Sequence, residues 1–150
     1  MPDHADFMNA AIAEARHNPA FPFDSVLVDD MNGSIVARGR NRGSENPTWH
    51  GEIDVINRCA AEQPEVEWNH LVLYTTAEPC PMCMSAILWT GIRGVVYGTS
   101  IPTLVRSGYR QIPIRAREVI AVTEFADCTL KGGILEAECD ALFASGPDRV

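Results

Sequence analysis

The sequence holds little that would take it into a membrane or divide it into several units. No apolar run in its 150 residues approaches the roughly 18 needed to span a bilayer. A helical membrane protein is excluded, and no membrane partner is expected. The first residues, Met1-Pro2-Asp3-His4-Ala5-Asp6, are acidic and lack the basic and apolar regions of a signal peptide. The expected location is therefore cytoplasmic. Internal repeats, linkers and low-complexity tracts are missing, and residues 1–150 suit one domain around one core. Cysteine is scarce and odd in number (Cys59, Cys80, Cys83, Cys128, Cys139). Without a secretion signal, that count excludes a disulfide framework and points to thiols and metal ligands. Positive charge is also short, with 12 Lys and Arg against 20 Asp and Glu, a net charge of −8. Proteins that hold polyanions usually present a basic surface, so this balance argues against a nucleic-acid partner.

Acid is absent from one long stretch. Between Pro79 and Arg117 there is no Asp or Glu, but there are five arginines: Arg93, Arg106, Arg110, Arg115 and Arg117. They read either as solvated or interface arginines paired with acids elsewhere, or as a local anion site.

Periodicity gives an alternating order of elements. A helix is expected over Phe7 to Asn18, with Phe7, Ala11 and Ala15 inward and Pro19 beyond its end. Ser25 to Asp29 and Ser34 to Arg38 read as strands joined by Asn32-Gly33, a turn whose two central residues take positive φ. Gly51 to Ala61 reads as a helix with Ile53, Ile56 and Ala60 as its apolar stripe. Leu71 to Thr75 is an apolar strand, and Cys80 to Thr90 a helix stopped by Gly91. Gly94 to Gly98 and Val119 to Thr123 read as strands, Thr103 to Ser107 as helical turns, and Ile134 to Phe143 as a last helix. Alternation of this kind predicts one sheet covered by helices on both faces, a three-layer α/β domain.

His50-Gly51-Glu52 followed by Pro79-Cys80-Pro81-Met82-Cys83 carries the chemistry. One imidazole and two thiolates are three zinc ligands. Three protein ligands leave the fourth tetrahedral position to a water, which marks a catalytic site. Both ligand groups fall at predicted helix starts, where partial positive charge and free N–H groups favour thiolates. Zinc (Zn2+) bound there makes hydroxide available near neutral pH, and Glu52, two residues after the histidine, is placed to carry protons. His70 could instead complete a four-ligand structural site. That alternative leaves Glu52 and the helix-start placement without a role. His4 and His17 read as ordinary surface or packing residues.

At these residues the chain resembles the cytidine-deaminase-like superfamily, whose signature is His-x-Glu followed by Pro-Cys-x-x-Cys. It resembles most the branch holding guanine deaminases, tRNA adenosine deaminases and fungal cytosine deaminases. The likeness runs from about Phe7 to Val122 and is strongest in Asn46–Glu52 and Leu73–Ile87. It implies a three-layer α-β-α sandwich around a mixed five-stranded sheet, with zinc on His50, Cys80 and Cys83 and Glu52 as proton shuttle. Asn41 matches the asparagine that hydrogen-bonds the bound base; the alternative is a turn or capping residue. Phe23 and Trp89 match a guanine deaminase pattern. Gly51 resembles the fungal cytosine enzymes, and Gly133 to Cys139 the tRNA enzymes. Phe23, Trp49, Trp89 and Tyr109 are candidate stacking residues or core aromatics. Asp24 stands where relatives carry small uncharged residues. It either faces the pocket and accepts hydrogen bonds from the base, or faces outward. The resemblance implies a small heteroaromatic base as substrate, guanine or a related amino-purine or amino-triazine first, cytosine second, adenosine in tRNA third, and a homodimer. A catalytically silent zinc-bearing binding module is the non-enzymatic alternative.

Overall fold

Period-two alternation builds the centre of the molecule. In the computed structural model, which describes residues 3–147, β1 (Ser25–Asp29), β2 (Ser34–Gly39), β3 (Leu71–Ala77), β4 (Gly94–Thr99) and β5 (Thr129–Lys131) form one sheet. The strand order is β2-β1-β3-β4-β5. β1 runs antiparallel to both β2 and β3, and β4 runs parallel to β3 and β5, so the sheet is mixed. Val26, Val28, Val72, Tyr74 and Val96 point to one face, under α1 (His4–Arg16) and α6 (Glu136–Phe143). Leu27, Leu71, Leu73 and Val95 point to the other. That second face is covered by α2 (Gly51–Glu62), α3 (Pro81–Thr90) and α5 (Ala116–Ala121), with the short α4 (Ile101–Arg106) at the sheet end. The three-layer α-β-α sandwich expected from the alternation is thus the observed architecture. No helix among the described residues is long and apolar enough to cross a membrane.

Several details differ from the sequence reading, each for a local reason. Val119 to Thr123 is not a strand. Glu118 accepts from the Arg115 backbone N–H at 2.7 Å and starts α5 there, and the fifth strand is Thr129–Lys131 instead. α1 begins earlier than expected because Asp3 and Asp6 form a reciprocal capping box. The acidic opening stretch is therefore a helix cap, although Met1 and Pro2 lie outside the described residues. In the β1–β2 loop Gly33 has φ 74°, and Asn32 does not share the positive φ. The Asp29 carbonyl accepts from both Asn32 and Gly33, which closes a longer loop over Asp30–Gly33. The inward stripe of α2 is Glu52, Val55 and Cys59, while Ala60 is exposed and Ile53 and Ile56 are only partly covered. Burial of the first turn of α2 follows from where its polar groups bond. Asp54 accepts from the Arg40 backbone, Trp49 Nε1 and Arg58 Nε, each at 2.9 Å.

Candidate metal centre and active-site cleft

Two helix starts and one strand end meet at the site. His50 is the N-cap of α2 and Cys80 the N-cap of α3, with Pro81 next and Cys83 in the first turn. α3 follows directly on the carboxyl end of β3, the end of a parallel strand where ligands of α/β sheets collect. Gly51 is needed for this approach. A Cβ there would collide with the Phe23 carbonyl oxygen, so only glycine lets α2 start against β1. The glycine singled out in the sequence is therefore explained by packing.

His50 Nδ1 lies 3.6 Å from the Sγ atoms of both Cys80 and Cys83. A tetrahedral ion with Zn–N of about 2.0–2.1 Å and Zn–S of about 2.3 Å sets nitrogen and sulfur about 3.6 Å apart. The three ligand atoms thus fit a zinc ion. The two thiols bear on one another's protonation. The Cys80 thiol is pushed down to about 4, chiefly by the bond from Cys83 and then by His50, against the effect of burial. The same pairing, with burial, pushes Cys83 up. The neighbouring Cys80 sulfur raises His50. A metal cation displaces protons from ligands of this kind. The Pro47 backbone also acts on the His50 ring and raises it further, the kind of outer support found around ligating imidazoles. Sequence reasoning missed it, because a backbone contact leaves no residue-type signal.

Among the described residues, no fourth side chain joins this group. His70 sits in a 3-10 turn and lines a different cavity with Asp29 and Val66. The four-ligand structural site is not formed.

Glu52 is buried, and its Oε1 accepts from Thr75 Oγ1 at 2.8 Å and Ser25 Oγ at 3.5 Å. Ser25 and Thr75 are paired across β1 and β3, so the sheet register itself makes this cradle. Burial raises the Glu52 carboxyl above its usual range. It is a group able to hold a proton closer to neutral pH.

A cleft of about 490 Å³ opens over these residues. His50, Glu52 and Cys80 lie at its floor, and Phe23, Asn41 and Tyr109 on its walls. Phe23 and Tyr109 meet edge to face with centroids 5.4 Å apart. Asn41 Oδ1 accepts from the Gly43 N–H at 2.8 Å, so Asn41 is a turn residue and a cleft residue together. Three sequence candidates fall elsewhere. Trp89 is 76% exposed and stacks on Phe125 at 4.5 Å, away from the cleft lining. Trp49 is held by Asp54 and lies under the Arg42 guanidinium. Asp24 faces neither the cleft nor solvent, but is fully buried behind the wall. The acid-free stretch does not act as one unit. Arg93 pairs with Asp30 and Arg115 with Glu78, whereas Arg110 lines the cleft. Phe21 and Glu78 also line it and were not singled out from the sequence.

Fold and site together define a zinc-binding α-β-α sandwich with a ligand cleft at the ends of its central strands. Residues 1–99 match the cytidine and deoxycytidylate deaminase zinc-binding region, and the chain belongs to that family. It is 34% identical over 90 residues to a guanine deaminase of Bacillus subtilis, covering 59% of this chain. The alignment takes in 56% of that relative, so the chain spans about half its length. It is 36% identical over 117 residues to a tRNA-specific adenosine deaminase of Agrobacterium fabrum, covering 73% of this chain and 76% of the relative. A solved guanine deaminase from Nitrosomonas europaea superposes with a TM-score of 0.83 at 23% identity, over 95% of this chain and 84% of that one. That last likeness shows the fold.

Proposed function

We propose that this chain is a single-domain zinc-dependent hydrolase that replaces an exocyclic amine on a small heteroaromatic base with a carbonyl, releasing ammonia. Guanine or a related amino-purine or amino-triazine is the favoured substrate. The observation that carries this reading is Glu52, buried with one carboxylate oxygen fixed by Thr75 and Ser25, beside a three-ligand group of which His50 and Cys80 line the same cleft.

Zinc held by His50, Cys80 and Cys83 supplies an acidified water near neutral pH. The protein's own groups do the rest. Glu52 takes a proton from the attacking water, passes it to the ring nitrogen, and then assists protonation of the departing ammonia. Its Oε1 is held by the Thr75 and Ser25 hydroxyls, which fixes the carboxylate at the cleft. Phe23, braced by Tyr109 and Phe143, offers an apolar wall to the ring. Asn41 has its Oδ1 committed to Gly43, which leaves its N–H2 to donate to an acceptor on the base.

Adenosine in tRNA is the second reading. The similarity to the tRNA-specific deaminase spans 76% of that relative, more than the 56% for the guanine enzyme, and Arg110 stands at the cleft. A panel of guanine, other amino-purines, amino-triazines, cytosine and a tRNA substrate, assayed by ammonia release, separates them. Turnover of a free base at moderate salt supports the proposal. Release from tRNA alone, lost steeply as salt rises, overturns the substrate. No release from any member favours the silent binding module.

We further propose a homodimer formed through the apolar face of α3 and the segment after α5. Trp89, Val122 and Phe125 are 76%, 81% and 61% exposed there, an unusual apolar display for a monomer. Trp89→Glu is expected to halve the mass in sedimentation velocity while leaving the circular dichroism unchanged. An unchanged mass would remove this face as the interface.

A further inference from the structure

Behind the cleft wall, three chain segments converge on one carboxylate. Asp24 is 0% exposed. Its Oδ1 accepts from the Asn41 backbone N–H at 2.9 Å and from Asn18 Nδ2 at 3.2 Å. Asn18, just past the end of α1, also donates to the carbonyls of Phe21 at 2.9 Å and Asn41 at 3.1 Å. The Asp24 N–H donates to Thr76 Oγ1 at 3.3 Å, and that hydroxyl donates to the Pro22 carbonyl at 2.7 Å. The bonded residues include Phe21, both chain neighbours of Phe23 and the backbone of Asn41. Asp24 itself does not line the cleft.

This arrangement is costly. Asp24 Oδ2 is buried without a hydrogen-bond partner. An unsatisfied buried polar atom opposes folding, and burial pushes the carboxyl up to about 7. Two charged groups bear on it, Arg40 lowering and Glu14 raising, and they pair with each other at 3.1 Å.

We infer that Asp24 is a positioning residue that holds Asn41 and the Phe21–Phe23 wall in place, and so sets affinity for the base rather than the rate of the chemical step. The binding part of this inference rests on the proposed deamination. Its structural part, the anchoring of Asn41, does not.

The test uses the zinc-loaded full chain and three variants. Asp24→Ala removes the acceptor. Asp24→Asn keeps an oxygen at Oδ1. Asn18→Ala removes the second donor at a half-buried position and serves if Asp24→Ala does not fold. In Asp24→Ala the Asn41 amide is expected to exchange with deuterium about tenfold faster, the loss of roughly one hydrogen bond. KM for the base is expected to rise by about the same factor, with kcat and zinc content near wild type. Asp24→Asn is expected to recover most of both effects, and Asn18→Ala to show a smaller rise in KM. Unchanged Asn41 exchange in Asp24→Ala would overturn the inference, as would a fall in kcat at constant KM. Equal damage in Asp24→Asn would overturn it too. Should the wild type release ammonia from no base, the deaminase reading fails, and the exchange measurement still decides the role of Asp24.

Discussion

Glu52→Gln is expected to lower ammonia release by about 10²–10⁴-fold, the usual worth of a placed proton carrier, while zinc stays bound. The amide is nearly the same size and can still accept from Thr75 Oγ1 and Ser25 Oγ. It cannot take up or deliver a proton at the ring. Folding should not suffer. Burial raises the Glu52 carboxyl, so the charged form is the one disfavoured by the fold, and a neutral amide removes that penalty. Unfolding curves and metal content that match the wild type, beside a collapsed rate, would locate the loss in the chemistry. Full activity in the glutamine variant would rule out proton transfer by Glu52.

The second large effect concerns stability. Glu78 is buried, and both of its oxygens lie 3.0 Å from Arg115 Nε. The same carboxylate accepts from the backbone N–H of Ile101 and of Ala116, each at 2.9 Å. It therefore caps the first residues of α4 and α5 and ties both to the segment that leads into Cys80. Removing one partner of a buried pair costs about 3–5 kcal/mol. Arg115 keeps 27% of its side chain in solvent, which favours the lower end of that range. Glu78→Ala is expected to lose about 3 kcal/mol in urea unfolding of the zinc-loaded protein. The Glu78→Ala/Arg115→Ala double variant should lose less than the sum of the single changes, because the pair is coupled. A loss below 1 kcal/mol in Glu78→Ala would show that the latch is not needed.

The metal ligands were legible in the sequence because they are local. Each group sits within one helical turn, and histidine and cysteine at that spacing have few other uses. Glu52 was legible for the same reason. The sheet and its layers followed from period-two strands alternating with helices. What escaped depended on partners distant in sequence. β5 is three residues long and takes its place only by pairing with β4, whereas the Val119-Ile120 run has strand-like composition but is helical because Glu118 caps it. The polar first turn of α2 is buried because Thr75, Arg40 and Trp49 supply partners that no helical pattern reveals. Trp89 looked like a base-stacking residue by resemblance, yet its helix turns that position outward onto Phe125. Asp24 faces neither the cleft nor solvent, because Asn18 and Asn41, distant in pattern from the strand, close over it.

X-ray absorption at the zinc edge, on protein purified without added metal, probes the three-ligand centre most directly. About one zinc per chain is expected, with two sulfurs at about 2.3 Å, one imidazole nitrogen at about 2.0–2.1 Å and one further oxygen. A shell filled by four protein ligands, or protein that carries no zinc, would contradict an open catalytic site.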